Sequence, residues 1–326
     1  MTRQNISALQ PRDSVDEIYR VADKQLRTNR QGSDYILLQL MDRTGQISGL
    51  RWNVGQSIYE SFQKGDFLRL VGTCQLHNGI LQLIVQDFEP VPATKVRLED
   101  FSQSDPQELQ SLVDELRSRL TSFQNEHLKC LANAYLGDGA FVEKLSRAPA
   151  GIKTHHAFEG GLLRHIVDLM RVADSIAPLY PQLDEEILRM GVFLHDLGKL
   201  EELSFDGDMT YTDAGQLVGH LVQGVVELQQ RVREIELSSG SSFPETLLWR
   251  LQHMIVSHHG KLEHGSPKVP MTIEAIVLHF IDDLDAKVNA ATDLIDADRN
   301  TDSNWTTFFP VMGCKLFKPS SVRPAN

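Results

Sequence analysis

The 326-residue chain has only three cysteines, Cys74, Cys130 and Cys314, set far apart and forming no CxxC pair. That excludes a disulfide framework and a thiolate zinc site. It has no N-terminal charged-then-apolar segment, and no apolar run approaches the roughly 20 residues a membrane span requires. A cytoplasmic protein with no membrane partner is expected. No Gly-rich phosphate loop of Walker type is present, so any phosphate chemistry must use other groups.

Net charge is −12, unevenly spread: ten basic and ten acidic residues lie up to Ala93, leaving 22 basic and 34 acidic beyond it. An acidic C-terminal part is a poor non-specific binder of nucleic acid, yet clustered carboxylates are also what hard metal ions require. At 41% hydrophobic residues, a chain of this length can bury two cores.

From about Asp13 to Pro92 the pattern is that of strands. Residues 35–41, 67–72 and 81–85 are short apolar or alternating runs, and Asp42–Gly45 and His77–Gly79 have the composition of hairpin turns. Five or so strands in this space predict a small all-β barrel over 13–93, of OB type, with an SH3-like barrel as the alternative. A proline-bearing linker follows at 94–108. Beyond it the period becomes helical, and an all-α bundle is predicted over 109–300. Leu109, Leu112, Val113, Leu116, Leu120 and Phe123 mark its first helix, with others near 159–177, 184–197, 215–236, 244–258 and 272–297. The tail, 301–326, carries Trp305, Phe308, Phe309 and Phe317 and is expected to pack back onto the helices.

Eleven of the twelve histidines lie after residue 120. His165, His195-Asp196, His220, His258-His259 and Asp282 each fall near the apolar face or end of a separate predicted helix. A buried imidazole or carboxylate is unfavourable unless paired or ligated. One such histidine alone reads as a hydrogen-bonded core residue, but five helices turning His and Asp inward point to a metal. Mixed imidazole and carboxylate donors without thiolates suit Mn²⁺, Co²⁺, Fe²⁺, Ni²⁺ or Zn²⁺. Adjacent His195 and Asp196 would let one helix end serve two ions, with the carboxylate as the bridge.

The ordered set His165, His195-Asp196-Leu-Gly-Lys199, His220, His258-His259-Gly260 and Asp282 resembles the H…HD…H…HH…D pattern of HD-superfamily phosphohydrolases. With a barrel before it, and with residues 154–165, 211–213, 217–220, 257–260, 265–268 and 278–287, the chain resembles the YhaM family of 3′→5′ exoribonucleases over nearly its whole length. The resemblance implies metal ligation by His165, His195, Asp196, His220, His258, His259 and Asp282, with the metals in place of a protein nucleophile. It implies a pair of divalent ions, Mn²⁺ foremost, and hydrolysis of single-stranded RNA or DNA from the 3′ end to nucleoside monophosphates.

The expected catalytic residues are His195, Asp196 and Lys199; Lys199 either contacts a phosphate or simply favours a helix-end dipole. Asp283 reads as a solvated carboxylate, and Asp285 as a support behind the ligands. Candidates for holding substrate are His155 and His156, which otherwise cap a helix, and Lys261 and Lys268, which otherwise are solvated charges. On the barrel, Arg27, Arg30, Arg43, Arg51 and Arg69 with Tyr35, Trp52 and Phe67 are candidates for a groove and stacking surface for single strands, at least half of the aromatics being expected in the core and only Trp52 or Tyr35 outside it. The competing readings are a nucleotide or cyclic-dinucleotide phosphohydrolase and a non-catalytic RNA-binding adaptor. Tail aromatics and barrel edges in need of cover suggest a homo-oligomer.

Overall fold

The computed structural model describes residues 3–29, 32–77, 80–97, 100–101, 105–151, 158–204, 210–298, 303–310 and 312–318. The chain divides into two compact units, one of Met1–Asp105 with Ala291–Asn326, the other of Pro106–Ala290.

In the first unit, β1 (Ser14–Thr28), β2 (Asp34–Asp42), β3 (Gly45–Trp52), β4 (Phe67–His77) and β5 (Ile80–Val91) form a closed barrel in the order β1-β2-β3-β5-β4, with a short helix α1 (Gln56–Tyr59) before β4. Neighbours are antiparallel except β3 and β5, which run parallel from Ser48↔Gln82 to Leu50↔Ile84. This is the OB-type barrel. Alternation on β2 sends Ile36, Leu38 and Leu40 into the core and leaves Tyr35, Leu37, Gln39 and Met41 half-buried on the outer face. β1 pairs with β4 through its first half and with β2 through its second, and the register shift between Val21 and Asp23 supplies the bend that closure requires.

Asp42 is buried at the β2–β3 turn, where its side chain accepts from Ile6 N at 2.8 Å and Thr44 N at 2.7 Å. Lys24 is also buried; its ammonium donates to the carbonyls of Tyr59 and Phe62, pinning the segment after α1 to β1. Of the second turn, Asn78 and Gly79 lie outside the described residues, though His77 and Ile80 pair across it.

The second unit is helical: α2 (Pro106–Thr121), α3 (Glu126–Leu136), α4 (Gly139–Arg147), α5 (Gly161–Ile176), α6 (Glu185–Leu194), α7 (Lys199–Glu202), α8 (Asp213–Val218), α9 (His220–Ser239), α10 (Glu245–Ser257) and α11 (Ile273–Ala297), the last running on past the unit boundary. Between α7 and α8 lies a two-stranded ribbon, β6 (Leu203–Ser204) and β7 (Thr210–Tyr211). The bundle starts at Pro106 rather than Leu109, as a proline suits the first turn of a helix. The segment predicted as one helix over 215–236 is two, because Gly219 turns the chain with φ of +76°. None of the helices among the described residues is long and apolar enough to cross a membrane.

The tail departs from expectation. Residues 291–326 group with the first unit, and β8 (Trp305–Phe309) pairs with β9 (Cys314–Phe317) as a hairpin. Trp305, Phe308 and Phe317 are exposed, and only Phe309 of the four tail aromatics is buried.

A buried carboxylate ties three helices of the bundle. Glu274, on α11, accepts from Asp184 N at 3.2 Å and meets the Arg250 guanidinium at 3.1 Å. Burial pushes its carboxyl up, but backbone N–H groups and Arg250 outweigh this, so the net displacement is down. A carboxyl lowered on folding stabilises fully above its unfolded pKa and loses that contribution as pH falls towards the folded one. Glu274→Gln is therefore expected to lose about 2 kcal/mol near neutral pH, the worth of a charge-assisted hydrogen bond, and to show a flatter stability profile below about pH 4.5. Denaturant unfolding at several pH values checks both.

Candidate metal centre

Five helix faces and ends bring the histidines and aspartates together. His165 sits on the buried face of α5 among Leu162, Ile166 and Leu169. His195 and His258 are the residues that close α6 and α10, and each donates Nδ1–H back to the carbonyl three residues earlier, Val192 O and Ile255 O, at 2.8 Å. His220 opens α9, where the Glu202 carboxylate accepts from its backbone N at 3.0 Å and lies 3.1 Å from its Nδ1. His259 Nδ1 is 3.0 Å from His264 O, and His165 Nδ1 is 2.9 Å from Asp285 Oδ2. In all five rings Nδ1 is thus engaged by an oxygen, which leaves Nε2 to point inward. Occupying one ring nitrogen this way fixes the tautomer and raises the basicity of the other.

The Nε2 atoms converge in two groups on either side of Asp196. His165, His195 and Asp282 form one: His165 Nε2 is 3.3 Å from both His195 Nε2 and Asp282 Oδ1. His220, His258 and His259 form the other, with His220 Nε2 and His259 Nε2 3.2 Å apart. Asp196 Oδ2 faces the first, 3.5 Å from His195 Nε2, while Oδ1 faces the second, 3.5 Å from His258 Nε2 and 3.6 Å from His220 Nε2.

This arrangement fits divalent metal. His220 and His259, each with Nδ1 engaged by an oxygen, direct Nε2 lone pairs at each other across 3.2 Å, a repulsion that a cation between them relieves. Asp196 Oδ1 is buried without a hydrogen-bond partner, a state that folded proteins avoid unless something else satisfies the atom. Burial pushes His258 down to about 4 and also lowers His195 and His259, so these rings are neutral and ready to ligate. For His165 burial acts the same way, but Asp282 and Asp285 outweigh it and raise the ring to about 9.

Lys199, the first residue of α7, places its ammonium 2.6 Å from Asp196 Oδ2. Burial opposes its charge, yet the Asp196 carboxylate holds its pKa above the ordinary value. Asp283 points outward and pairs with Lys287 at 2.6 Å. Lys261 and Lys268 are exposed, Lys261 pairing with Glu263 at 3.5 Å, and no described contact joins either to the cluster. His155, His156 and Arg30 lie outside the described residues. On the barrel, Tyr35 and Trp52 pair across β2 and β3 with ring centroids 4.7 Å apart, Trp52 being 39% exposed. Arg27 is opposite Tyr35 on β1, so the three share one face. Phe67 is buried, and Arg69 is held by Asp16 at 2.7 Å.

Sequence reasoning missed Glu202 and His279. His279 Nδ1 lies 2.8 Å from His258 O, clamping the turn that carries the histidine pair.

Two family models match the chain: an HD domain over residues 162–287 and an OB-fold nucleic acid binding domain over 19–91. The chain is similar to the 3′-5′ exoribonuclease YhaM of Shouchella clausii, 37% identical over 275 residues that cover 83% of this chain and 82% of that one. It is similar also to the 3′-5′ exoribonuclease YhaM of Bacillus subtilis, 34% identical over 283 residues covering 85% and 86%.

Proposed function

The chain belongs to the YhaM exoribonuclease family, and on that footing we propose that it is a metal-dependent 3′→5′ exoribonuclease releasing nucleoside monophosphates from single-stranded RNA, and from DNA when offered. The observation that carries the chemistry is the split of the Asp196 carboxylate between two imidazole groups. His165, His195 and Asp282 would hold one divalent ion, His220, His258 and His259 a second, and Asp196 would bridge them. Mn²⁺ is our choice, with Co²⁺, Fe²⁺, Ni²⁺ and Zn²⁺ as alternatives, because the donors are imidazole and carboxylate alone. Such a pair supplies water acidified towards neutrality and positive charge for the phosphoryl oxygens in an in-line displacement.

The protein's own groups do the positioning. Glu202, Asp285 and the three carbonyls hold the imidazoles in place from behind. Lys199, one-fifth exposed at the edge of the cluster, offers its ammonium to a phosphate oxygen. The Arg27–Tyr35–Trp52 face of the barrel takes unpaired bases and backbone. We place the enzyme in the cytoplasm, and we assign self-association to the exposed apolar stripe Ile276, Phe280, Leu284 and Val288 on α11, which sedimentation would check.

The test is digestion of RNA labelled at its 5′ end, with Mn²⁺ and with excess chelator. Stepwise shortening with release of monophosphates, abolished by chelator, is expected; internal cuts or chelator-resistant activity would refute the reading. Trp52→Ala should weaken binding of a long single strand by about 1–3 kcal/mol if one base stacks on it. Since Trp52 lies outside the core, the melting curve should change little, which separates a lost contact from an unfolded barrel.

A further inference from the structure

The tail hairpin presents its aromatic side to solvent. Trp305 pairs with Phe317, and Phe308 pairs with Lys315, with a register shift between Trp305 and Phe308. Paired residues share a face, and Lys315 and Phe317 are two apart on β9. Trp305, Phe308, Lys315 and Phe317 therefore stand on one side, although Trp305 and Phe308 are three apart in sequence. The three aromatics are 51%, 58% and 52% exposed, and the Trp305 and Phe317 rings meet edge to face at 5.3 Å. The opposite side carries Thr306, Phe309 and Leu316, of which the first two are buried.

The base of the hairpin is anchored. Lys318 N donates to Asn304 O at 2.7 Å, the Lys318 ammonium meets Asp298 at 3.3 Å with both side chains largely buried, and Leu316 N donates to Thr306 Oγ1 at 3.0 Å. The aromatics are thus displayed from a fixed ribbon.

Charge identifies the occupant. In a chain of net charge −12, Lys318 is paired with Asp298, but Lys315 stands on the aromatic face itself and the hairpin, residues 305–317, contains no acidic residue. Flat rings on one face beside a cation suit a polyanion whose bases are free to stack, which a duplex does not offer. We propose that the Trp305–Phe308–Phe317 face is a stacking platform for single-stranded RNA, additional to the Tyr35–Trp52 pair; the choice of RNA rests on the exoribonuclease reading.

The test uses the full chain with Trp305, Phe308 and Phe317 all replaced by Ala, and separately Lys315→Glu. Binding of fluorescein-labelled single-stranded RNA is followed by anisotropy at two salt concentrations, with chelator present so that nothing is cut. The triple variant should lose roughly tenfold or more in affinity, the loss that one or two stacked bases represent. Its melting transition should stay where it was. Lys315→Glu should weaken binding several-fold and reduce the salt dependence, and Trp305→Phe should bind nearly as the parent does. Unchanged affinity in the triple variant overturns the proposal. So does a fall in its sedimenting mass without a fall in RNA affinity, which would make this face a contact between copies. RNA bound but left uncut by the parent with Mn²⁺ supplied would count against the exoribonuclease reading alone, because the hairpin is judged by binding.

Discussion

Asp196→Asn is expected to bring hydrolysis to background and to remove divalent ion from the protein while the helices remain folded. The asparagine keeps the shape of the side chain but replaces one anionic oxygen by an N–H₂ donor, which cannot ligate a cation. Whichever way the amide turns, one imidazole group loses its shared oxygen. Burial raises the Asp196 carboxyl, and the surrounding positive charge, Lys199 first, outweighs that and holds it well below the usual carboxylate range. Asp196 is therefore an anion at any working pH, and its negative charge offsets Lys199 in a buried setting. Removing one partner of a buried pair typically destabilises by about 3–5 kcal/mol, so part of the melting temperature should be lost as well. A double change, Asp196→Asn with Lys199→Met, should recover much of that stability and none of the activity. Ion content by mass spectrometry, circular dichroism and hydrolysis measured together decide the matter. Parent-like ion content in Asp196→Asn would remove the bridging role.

Much of this was legible from residue types and their spacing. The period-two alternation of β2 and the short apolar runs of β4 and β5 announce the barrel, but β1 does not, because Asp16, Glu17, Arg20 and Lys24 interrupt its apolar residues. Helices α3 and α4 went unread although the signs were present: Leu128, Leu131, Ala132 and Tyr135 have helical spacing, and Asn125 and Asp138 cap the two N-termini through their side chains. The inward-facing histidines and aspartates could be picked out because each lies at a recurring interval from apolar neighbours. What orients them could not. Val192 O, Ile255 O and His264 O are backbone atoms that any residue would supply, and Glu202 reaches His220 only because the ribbon β6–β7 returns the chain to α7. The tail aromatics were misplaced for a related reason. Apolar character argues for burial, but the shift of register in β8 decides which side a ring takes, and composition carries no record of it.

Gly198→Ala is expected to be as damaging as any change of a ligand, although it adds a single methyl group to a residue that holds no metal. Gly198 closes the turn between Asp196 and α7, with ordinary φ and ψ of −60° and −19°, so no conformational strain is at issue. A Cβ there would stand inside the contact distance of the His220 carbonyl oxygen and 2.8 Å from Gly224 N. Both are backbone atoms of the first turns of α9, and neither can rotate away as the end of a side chain would. The turn bearing His195 and Asp196 and the helix start bearing His220 must then move apart. Overpacking of this kind costs about 1–3 kcal/mol, and more where only backbone can yield. A displacement of a few tenths of an ångström would draw His220 away from Asp196 Oδ1, so ion uptake should weaken along with hydrolysis. Controls isolate the cause: Gly224→Ala, whose Cβ would meet Ile255 Cγ2 at 3.3 Å, should cost less, and Gly139→Ala, with nothing within 4 Å, should be neutral or slightly stabilising. Melting curves and Mn²⁺ titration of the three variants give the ranking, and a Gly198→Ala protein as stable and active as Gly139→Ala would show that this close approach does not set the spacing of the metal ligands.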